Sequence, residues 1–397
     1  MRTACSALLV CCGLAAPAAL ANDLANITLF GQDYRVQRFN YSTVAWADPF
    51  APGFDLNLIE VEGAHWLGND RLLLSTDSGD NLLSVKNWVI EVELTRDGSG
   101  EITGLRYVRT VVANDPNDPA YGGFDLSPCG ITVNTSNAGL AAGGDLIIGD
   151  SEANGVRGYA LLDGADLGGF SGGAANPSFD DCEYVPANDL LYTINEDDFR
   201  LVSFTTSGDF VTSTPIPGLT ALNPAARPGS PKGLVYLPDS PVVPASIRRA
   251  GGTLLVTIDN GNPGLQAFDL DGNVLATEPL TNEPINGGSS LLDQGAGCTR
   301  QLRLESAAFD PATGTLFLVN EGNLLTCSGF FVLTPLGDGC PADFNGDGFL
   351  DFFDLDAFVA CFEGEGCPDG RDSDYNGDGF TDFFDLDAYI AEFEAGC

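Results

Sequence analysis

A strand–turn–strand unit recurs five times between residues 62 and 321 of this 397-residue chain. Each unit holds two short apolar runs joined by a turn and ends on an acidic or amide residue, as in DCEYVPANDLLYTINED and LESAAFDPATGTLFLVNEG. A third strand such as NWVIEVEL or LQAFDLD follows most units, and often a fourth. The units begin at Glu62, Cys129, Cys182, Lys232 and Glu305. Four-stranded units of this size, repeated radially, form a β-propeller.

The region from residue 22 to about residue 336 is therefore predicted to be all-β, with five blades. It contains almost no helical periodicity, and Gly, Asn, Asp and Pro separate its apolar runs. A sixth blade would fit in the longer gaps, and a pair of β-sandwiches is the alternative fold. The N-terminal segment ITLFGQDYRV is expected to complete the last blade, whose own fourth strand is missing before the C-terminal segment begins.

The propeller prediction places two sets of residues at the mouth of the central channel, because the innermost strand of a blade starts on the face where the second strand ends. We expect catalytic candidates at Glu62, Glu305 and His65, and ligand-binding candidates at Lys232, Asp77, Asp150, Asp259 and Glu321. Glu196 and Asp197 fall in the same ring. The alternative interpretation is that these strand-end acids only cap turns.

Carboxylate pairs can hydrolyse glycosides, and carboxylate clusters can hold Ca²⁺ for phosphoester chemistry. His65 is the only histidine, so any Ser–His–Asp mechanism would have to use it, although a histidine beside Trp66 is more often a packed structural residue. The chain has no P-loop, dinucleotide fingerprint or HExxH motif.

An acidic dodecapeptide occurs twice near the C-terminus, as DFNGDGFLDFFD at 343–354 and DYNGDGFTDFFD at 374–385. A 12-residue calcium loop supplies oxygen ligands from positions 1, 3, 5, 7, 9 and 12, with glycine at position 6. Both copies fit, with aspartate in place of the usual glutamate at position 12. The predicted Ca²⁺ ligands are Asp343, Asn345, Asp347, Phe349, Asp351 and Asp354 in the first loop, and Asp374, Asn376, Asp378, Phe380, Asp382 and Asp385 in the second.

One amphipathic helix is predicted after each loop, from the apolar spacing of Leu355, Phe358, Val359 and Phe362 and its counterpart in the second copy. No comparable helix precedes either loop. This duplicated loop–helix unit, bracketed by cysteines, resembles a dockerin of the GC type over residues 340–397. The resemblance implies a cohesin-type partner on a scaffold or cell surface. It implies partner-binding positions at Phe352, Phe353, Val359, Ala360 and Glu363, and at Phe383, Phe384, Ile390, Ala391 and Glu394.

The paired phenylalanines depart from familiar dockerins, which often carry Ser or Thr at those positions. The alternative is that one Phe of each pair fills the small core. A weaker resemblance links FDPATGTLFLVNEG to blades of secreted phytase-like and SdiA-regulated propellers, and it carries no catalytic signature.

The N-terminal segment indicates an exported protein, and the net charge limits its classes of partner. The formal net charge is -39, which argues against nucleic acid and anionic membrane as partners. Residues 1–21 are typical of a secretory signal, with Arg2, a short apolar run and an Ala-Leu-Ala cleavage site; a retained anchor or lipoprotein is the alternative. We expect a secreted chain with a propeller at 22–339, a dockerin at 340–397 and no membrane span.

Three of the 11 cysteines leave with the predicted signal, and the other eight are divided equally between the two domains. Their spacing does not suggest zinc. In the C-terminal module we favour Cys340–Cys397 and Cys361–Cys367, with the other two connectivities left open. In the propeller, Cys129 and Cys182 occupy equivalent places in adjacent blades, which favours a disulfide between them, with Cys298–Cys327 as the other bond.

Two functions follow from these patterns. The first is an accessory propeller that binds carbohydrate or another extracellular ligand while docked to a scaffold. The second is an extracellular hydrolase of glycosidic or phosphoester bonds at the channel mouth, delivered to its substrate by the same docking. Dockerin-bearing proteins often degrade polysaccharides, which favours the second by association with the family.

Overall fold

The computed structural model describes residues 22–40, 61–76, 87–98, 100–114, 128–150, 154–173, 179, 181–195, 198–216, 230–259, 264–280, 303–320, 329–336, 342–346, 350–368, 371–376 and 379–395. In chain order, the strands of the first part are β1 (Asn22–Leu29), β2 (Gln32–Asn40), β3 (Val61–Gly68), β4 (Arg71–Thr76), β5 (Asn87–Arg96), β6 (Ile102–Asn114), β7 (Pro128–Asn134), β8 (Asp145–Asp150), β9 (Gly155–Tyr159) and β10 (Asp166–Ser171).

The remaining strands are β11 (Cys182–Val185), β12 (Leu190–Asn195), β13 (Arg200–Thr205), β14 (Phe210–Pro215), β15 (Ser230–Leu237), β16 (Thr253–Asp259), β17 (Gly264–Phe268), β18 (Val274–Pro279), β19 (Leu304–Phe309), β20 (Leu316–Asn320) and β21 (Gly329–Pro335). Two helices follow, α1 (Phe352–Phe362) and α2 (Phe383–Ala395).

The described strands form five antiparallel sheets arranged as a five-bladed β-propeller. Strands β3–β6, β7–β10, β11–β14 and β15–β18 make blades 1 to 4, with four strands each, and blade 5 is the sheet of order β1-β2-β21-β20-β19. The innermost strands β3, β7, β11, β15 and β19 each contact the next, and β19 contacts β3. This closed ring confirms the predicted propeller and excludes the pair of sandwiches.

The fifth blade joins the two ends of the propeller domain. Strand β2 pairs with β21 from Tyr34↔Pro335 to Asn40↔Gly329, and β1 adds a fifth strand at the outer edge. The prediction that the N-terminal segment completes the last blade is therefore confirmed. Hydrogen bonding between these two distant segments closes the ring.

Burial decreases from the axis of the propeller to its rim. All residues of β11 and β19 are buried, whereas the outermost strands β10 and β14 are largely exposed. The second strands, such as β4 and β20, are near-continuous apolar runs because neighbouring blades cover both of their faces. Five apolar clusters result, one between each pair of adjacent blades.

The C-terminal region contains two loop–helix units around a small aromatic core. Phe358 of α1 stacks on Tyr389 of α2 with ring centroids 4.1 Å apart and an interplanar angle of 3°. Phe344 packs edge-on against both rings, and the Tyr389 hydroxyl donates to the Ala342 carbonyl oxygen (3.0 Å). Both predicted helices are confirmed.

One disulfide of this module is described, between Cys361 and Cys367. It is the short-loop pairing that the sequence analysis favoured. Cys340 and Cys397 lie outside the described residues. None of the helices in the described part of the chain is both long enough and apolar enough to span a bilayer.

Candidate functional site

Small residues let the inner strands approach one another closely at the propeller axis. Gly63 and Gly233 occupy equivalent places, directly after the first residue of their repeats. A Cβ on Gly63 would lie 2.9 Å from the Cys129 carbonyl oxygen, and one on Gly233 would lie 2.4 Å from the Ser306 Cα. Any side chain at these positions would collide with backbone, so glycine is required there.

Asp181, directly before β11, connects four blades through its buried carboxylate. It accepts hydrogen bonds from the backbone N–H groups of Cys182 (2.7 Å) and Leu234 (2.8 Å) and from the Ser306 hydroxyl (3.2 Å). The Ser306 oxygen in turn accepts the N–H of Ala64 (3.2 Å). Desolvation by burial raises the pKa of Asp181 well above its usual range. The network links blades 3, 4, 5 and 1 at the axis.

Glu183 stands where three other blades have glycine and one has serine. Its carboxylate accepts the N–H of Tyr236 (3.2 Å) and the Thr132 hydroxyl. The His65 Nδ1 lies 3.9 Å from the Glu183 Oε2. Burial raises the pKa of Glu183 to about 8 and lowers the pKa of His65 to about 4. At neutral pH the pair is therefore an uncharged carboxylic acid beside an uncharged imidazole.

A carboxylic acid that keeps its proton at neutral pH can donate it to a reacting group. The side chain of His65 is 20% exposed and that of Glu183 is 9% exposed, so the pair lies just below the surface. Of these three residues, only His65 was predicted from the sequence; Asp181 and Glu183 were not. Aligning the five inner strands would have found Glu183, because it interrupts a column of small residues.

The residues of the predicted channel mouth lie at the strand ends, and only some of their side chains are described. The first residues of inner strands pair with the last residues of second strands, as in Pro128↔Asp150 and Ser230↔Asp259. Glu62 and Lys232 are partly buried there, and Asp150 and Glu305 are buried. Outside the described residues lie Asp77, Glu196, Asp197 and Glu321, together with the side chain of Asp259.

Arg303 is a cation that the sequence analysis did not select. One of its guanidinium nitrogens lies 3.3 Å from the Glu305 Oε1. This ion pair places a positive group at the start of β19 beside a buried carboxylate. The assignment of ligand-binding or catalytic roles to the mouth residues stays a prediction.

The predicted disulfide between Cys129 and Cys182 is wrong, since both residues are buried thiols. The Cys129 Sγ lies 3.2 Å from the Phe179 carbonyl oxygen, and the Cys182 Sγ lies 4.0 Å from the Ile147 carbonyl oxygen. Equivalent places in adjacent blades put the two cysteines on neighbouring strands, but each sulfur contacts a backbone carbonyl instead of the other sulfur. Cys298 and Cys327 lie outside the described residues.

In the C-terminal module, the last aspartate of each dodecapeptide organises its loop. Asp354 accepts the N–H of Asn345 (3.0 Å) and of Asp351 (2.8 Å). Asp385 repeats the pattern with the N–H of Asn376 (3.0 Å) and of Asp382 (2.7 Å). These backbone donors lower the pKa of Asp385 below its usual range. Both carboxylates are fully buried.

The first aspartate of each loop also faces inward. The Asp343 Oδ1 accepts the N–H of Gly346 (2.9 Å), and the Asp374 Oδ2 accepts that of Gly379 (2.8 Å). The Asp374 Oδ1 is buried and has no hydrogen-bond partner. A buried carboxylate oxygen without a donor is costly unless a cation binds it, so the residues present fit the predicted Ca²⁺.

The remaining predicted ligands are divided between described and undescribed residues. Asp351 and Asp382 each use one carboxylate oxygen to cap the following helix, accepting the N–H of Phe353 or Phe384 (2.8 Å in both). The positions of Asp347, Phe349 and Asp378 lie outside the described residues. Within the described part of the chain, no three His, Cys, Asp or Glu side chains cluster as a metal site. Calcium binding therefore stays a prediction.

The paired phenylalanines lie on the surface of the module. Phe352 and Phe353 are 78% and 69% exposed, and Phe383 and Phe384 are 76% and 69% exposed. The alternative that one Phe of each pair fills the core is therefore wrong, because Phe344, Phe358 and Tyr389 fill it instead and the first helical turns point outward. Val359 is partly buried, and Ile390 is exposed.

No family model matches the chain, and no curated protein matches it. Similar solved structures include hydrazine synthase of Kuenenia stuttgartiensis, at 13% identity and TM-score 0.35 over 68% of this chain and 58% of that one. Streptogramin B lyase is similar at 10% identity and TM-score 0.41, over 76% of this chain and 98% of that one. Glutaminyl cyclase of Myxococcus xanthus is similar at 12% identity and TM-score 0.42, over 70% of this chain and 91% of that one. The chain thus spans 58% of the length of the hydrazine synthase chain. The propeller assignment rests on the sheet topology itself.

Proposed function

We propose that this chain is a secreted propeller that its C-terminal module, residues 340–397, attaches to a cohesin-type domain on a scaffold or cell surface. In this proposal the module binds two calcium ions, and the propeller acts as a ligand-binding accessory domain. The observation that carries the proposal is the pair of inward-facing carboxylates in each loop, together with the buried Asp374 Oδ1 that has no hydrogen-bond donor.

Each loop would hold one ion through side-chain oxygens at positions 1, 3, 5 and 12 and a backbone oxygen at position 7. Asp354 and Asp385 already hold the backbone of positions 3 and 9 in place. Calcium would supply the positive charge that the buried carboxylates of this module lack, and its binding free energy would add to folding stability.

The partner surface in this proposal is aromatic. Each loop–helix unit exposes two adjacent phenylalanines at the start of its helix. Exposed aromatic pairs are unusual on a protein that functions alone, and aromatic residues are enriched at protein interfaces. The two units repeat the same surface, so either one could engage a cohesin-type domain.

Calcium titration of the full chain by calorimetry tests the metal step. We expect two ions per wild-type chain and one for Asp374→Ala, because that substitution removes the inward carboxylate of the second loop. Asp356→Ala, which removes an exposed carboxylate of α1, is the matched control and should still bind two. A wild-type chain that binds no calcium would overturn the proposal.

Attachment needs a separate measurement. With calcium present, the full chain should bind at least one member of a panel of immobilised cohesin-type domains, and chelation should release it. Phe352→Ser combined with Phe383→Ser should abolish binding while calcium stoichiometry stays at two. Binding that persists in this double variant would remove the aromatic pairs from the proposed interface.

A second candidate function is an extracellular hydrolase, and Glu183 is the observation that favours it. A carboxylic acid with a pKa of about 8 beside His65 can act as a general acid at neutral pH. A screen of polysaccharides and phosphoesters with purified protein tests it. Turnover that is lost in Glu183→Gln, or in the mouth variants Glu62→Gln and Glu305→Gln, would support the enzyme. Ligand binding without turnover would support the accessory domain.

A further inference from the structure

A cleft of about 580 Å³ lies between the β3–β4 turn of blade 1 and the β19–β20 turn of blade 5. These turns join the far ends of inner strands, so the cleft opens on the face opposite the channel mouth. Its aromatic and polar lining comprises Trp66, Asn69, Asp70, Arg96, Asp310 and Thr313. The volume falls within the range of small-molecule sites, roughly 300–1,000 Å³.

The wall of this cleft is a rigid aromatic platform. Trp66 stacks on Phe317 with centroids 5.2 Å apart and an interplanar angle of 17°. Phe317 stacks in turn on Phe330 at 5.6 Å and 22°. Both phenylalanines are buried, whereas Trp66 is partly exposed. The stack runs from the core to the cleft and fixes the plane of the indole, so a ligand would meet a preorganised surface.

The charged groups that line the cleft beside Trp66 are one ion pair and one carboxylate. The Arg96 guanidinium donates two hydrogen bonds to the Asp70 Oδ1 (2.9 and 2.7 Å) and one to the Gly100 carbonyl oxygen (2.8 Å). The Asp310 carboxylate accepts the N–H of Ala312 (3.0 Å) and the Thr313 hydroxyl (2.7 Å). With Arg96 neutralised by Asp70, Asp310 gives the cleft a net negative charge, which disfavours phosphate or another anion.

We infer that this cleft binds a neutral sugar ring, which packs its C–H face on Trp66 and directs its hydroxyls to Asp310 and the Asp70–Arg96 pair. A pyranose has one apolar face and a rim of hydroxyls that both donate and accept hydrogen bonds. The indole offers the apolar contact, and fixed carboxylate and guanidinium groups offer acceptors and donors at its edge. This inference assigns a class of ligand to the propeller, and it rests on the accessory role proposed above.

The test uses the full chain in calcium, titrated by calorimetry with cellotetraose, xylotetraose and the β-1,4 tetramer of N-acetylglucosamine. We expect at least one tetramer to bind, and Trp66→Ala to weaken it at least tenfold. Ala312→Trp is a second variant that should block the cleft from an exposed position without disturbing the core. Phe210→Ala, which removes an exposed aromatic side chain of blade 3, is the control and should bind as the wild type does.

The inference fails if no tetramer binds, if both cleft variants bind normally, or if inorganic phosphate binds the cleft in place of sugar. Calcium stoichiometry is measured in the same samples. If the wild-type chain binds two calcium ions but no sugar, the cleft is rejected and the attachment proposal is not. If it binds sugar but no calcium ions, only the attachment proposal is rejected.

Discussion

The propeller and the C-terminal module bury their polar groups in different ways. The propeller has an apolar cluster between each pair of adjacent blades, and the cluster between blades 5 and 1 contains sixteen buried residues. Its buried axial carboxylate, Asp181, accepts three hydrogen bonds from the protein. The module has five buried residues in its apolar core and still buries Asp343, Asp354 and Asp385. A core that small needs a staple or a metal, whereas the buried carboxylate at the propeller axis has its hydrogen-bond donors within the protein.

Packing at the propeller axis offers the strongest test of the propeller side of this comparison. A Cβ on Gly130 would lie 1.8 Å from the Asp181 Oδ1 and 2.5 Å from the Cys182 nitrogen. Gly130→Ala should therefore destabilise the propeller by about 3 kcal/mol or more, measured by urea unfolding. Gly98→Ala is the control, because nothing lies within 4 Å of a Cβ there. Equal stability of the two variants would show that the axis is not tightly packed.

The equivalent test in the module removes a carboxylate that the loop depends on. Asp354→Ala leaves two backbone N–H groups, those of Asn345 and Asp351, without their acceptor. Both hydrogen bonds are partly buried, so at about 1–2 kcal/mol for each group left without its partner, the module should lose about 2–4 kcal/mol in chelator, and more in calcium. Asp356→Ala on the exposed side of α1 should cost almost nothing. A module that tolerates Asp354→Ala equally well would not be organised by this carboxylate.

The uncharged pair at the axis makes the propeller sensitive to pH. Glu183 has a folded pKa of about 8, above its ordinary 4.5, so its contribution to stability falls as the pH rises between those values. His65 has a folded pKa of about 4, below its ordinary 6.5, so its contribution rises between pH 4 and 6.5 and is constant above. Between pH 6.5 and 8 the propeller should therefore lose roughly 2 kcal/mol through Glu183.

Urea unfolding of the full chain in calcium at pH 6.5 and 8 checks this loss. Glu183→Gln keeps a neutral, hydrogen-bonding side chain and should remove the part of the decline that Glu183 contributes. Burial also raises the pKa of Asp181, which affects stability in the same direction, and Glu183→Gln leaves that contribution unchanged. A Glu183→Gln protein whose stability falls as steeply as that of the wild type would contradict the assignment of a protonated Glu183.

The smallest expected effect on stability comes from the exposed aromatics of the module. Phe352→Ser should change the free energy of unfolding by less than about 0.5 kcal/mol, because the ring is 78% exposed. Phe358→Leu in the core of the same helix should cost about 1 kcal/mol. If Phe352→Ser proved the more damaging in thermal unfolding, the exposed pair would have a structural role instead of an interface role.

The fold was predictable from the sequence because the repeats set strand length, strand order and blade number together. The inner strands begin within two residues of the predicted starts, and the segment ITLFGQDYRV forms the outer strands of the last blade. The orientation of side chains was less predictable. Cys129 and Cys182 were expected to be bonded from equivalence alone, but the direction of each sulfur depends on local packing that spacing does not encode.

The candidate sites show the same limit. The predicted loop ligands are read from a contiguous dodecapeptide, so this prediction needs only the local sequence. Asp181 and Glu183 belong to one blade and His65 to another, and only the closed ring brings His65 beside Glu183. The cleft beside Trp66 lies between two turns that are more than 200 residues apart in sequence, so no local sequence motif predicts it.

Hydrogen exchange of the full chain, followed by mass spectrometry with calcium and with chelator, tests the central contrast between the two regions most directly. The account predicts that calcium slows exchange in α1, α2 and their preceding loops while exchange in the propeller strands stays the same. Equal protection of the module in calcium and in chelator would contradict it, because the carboxylates would then be accommodated without a metal.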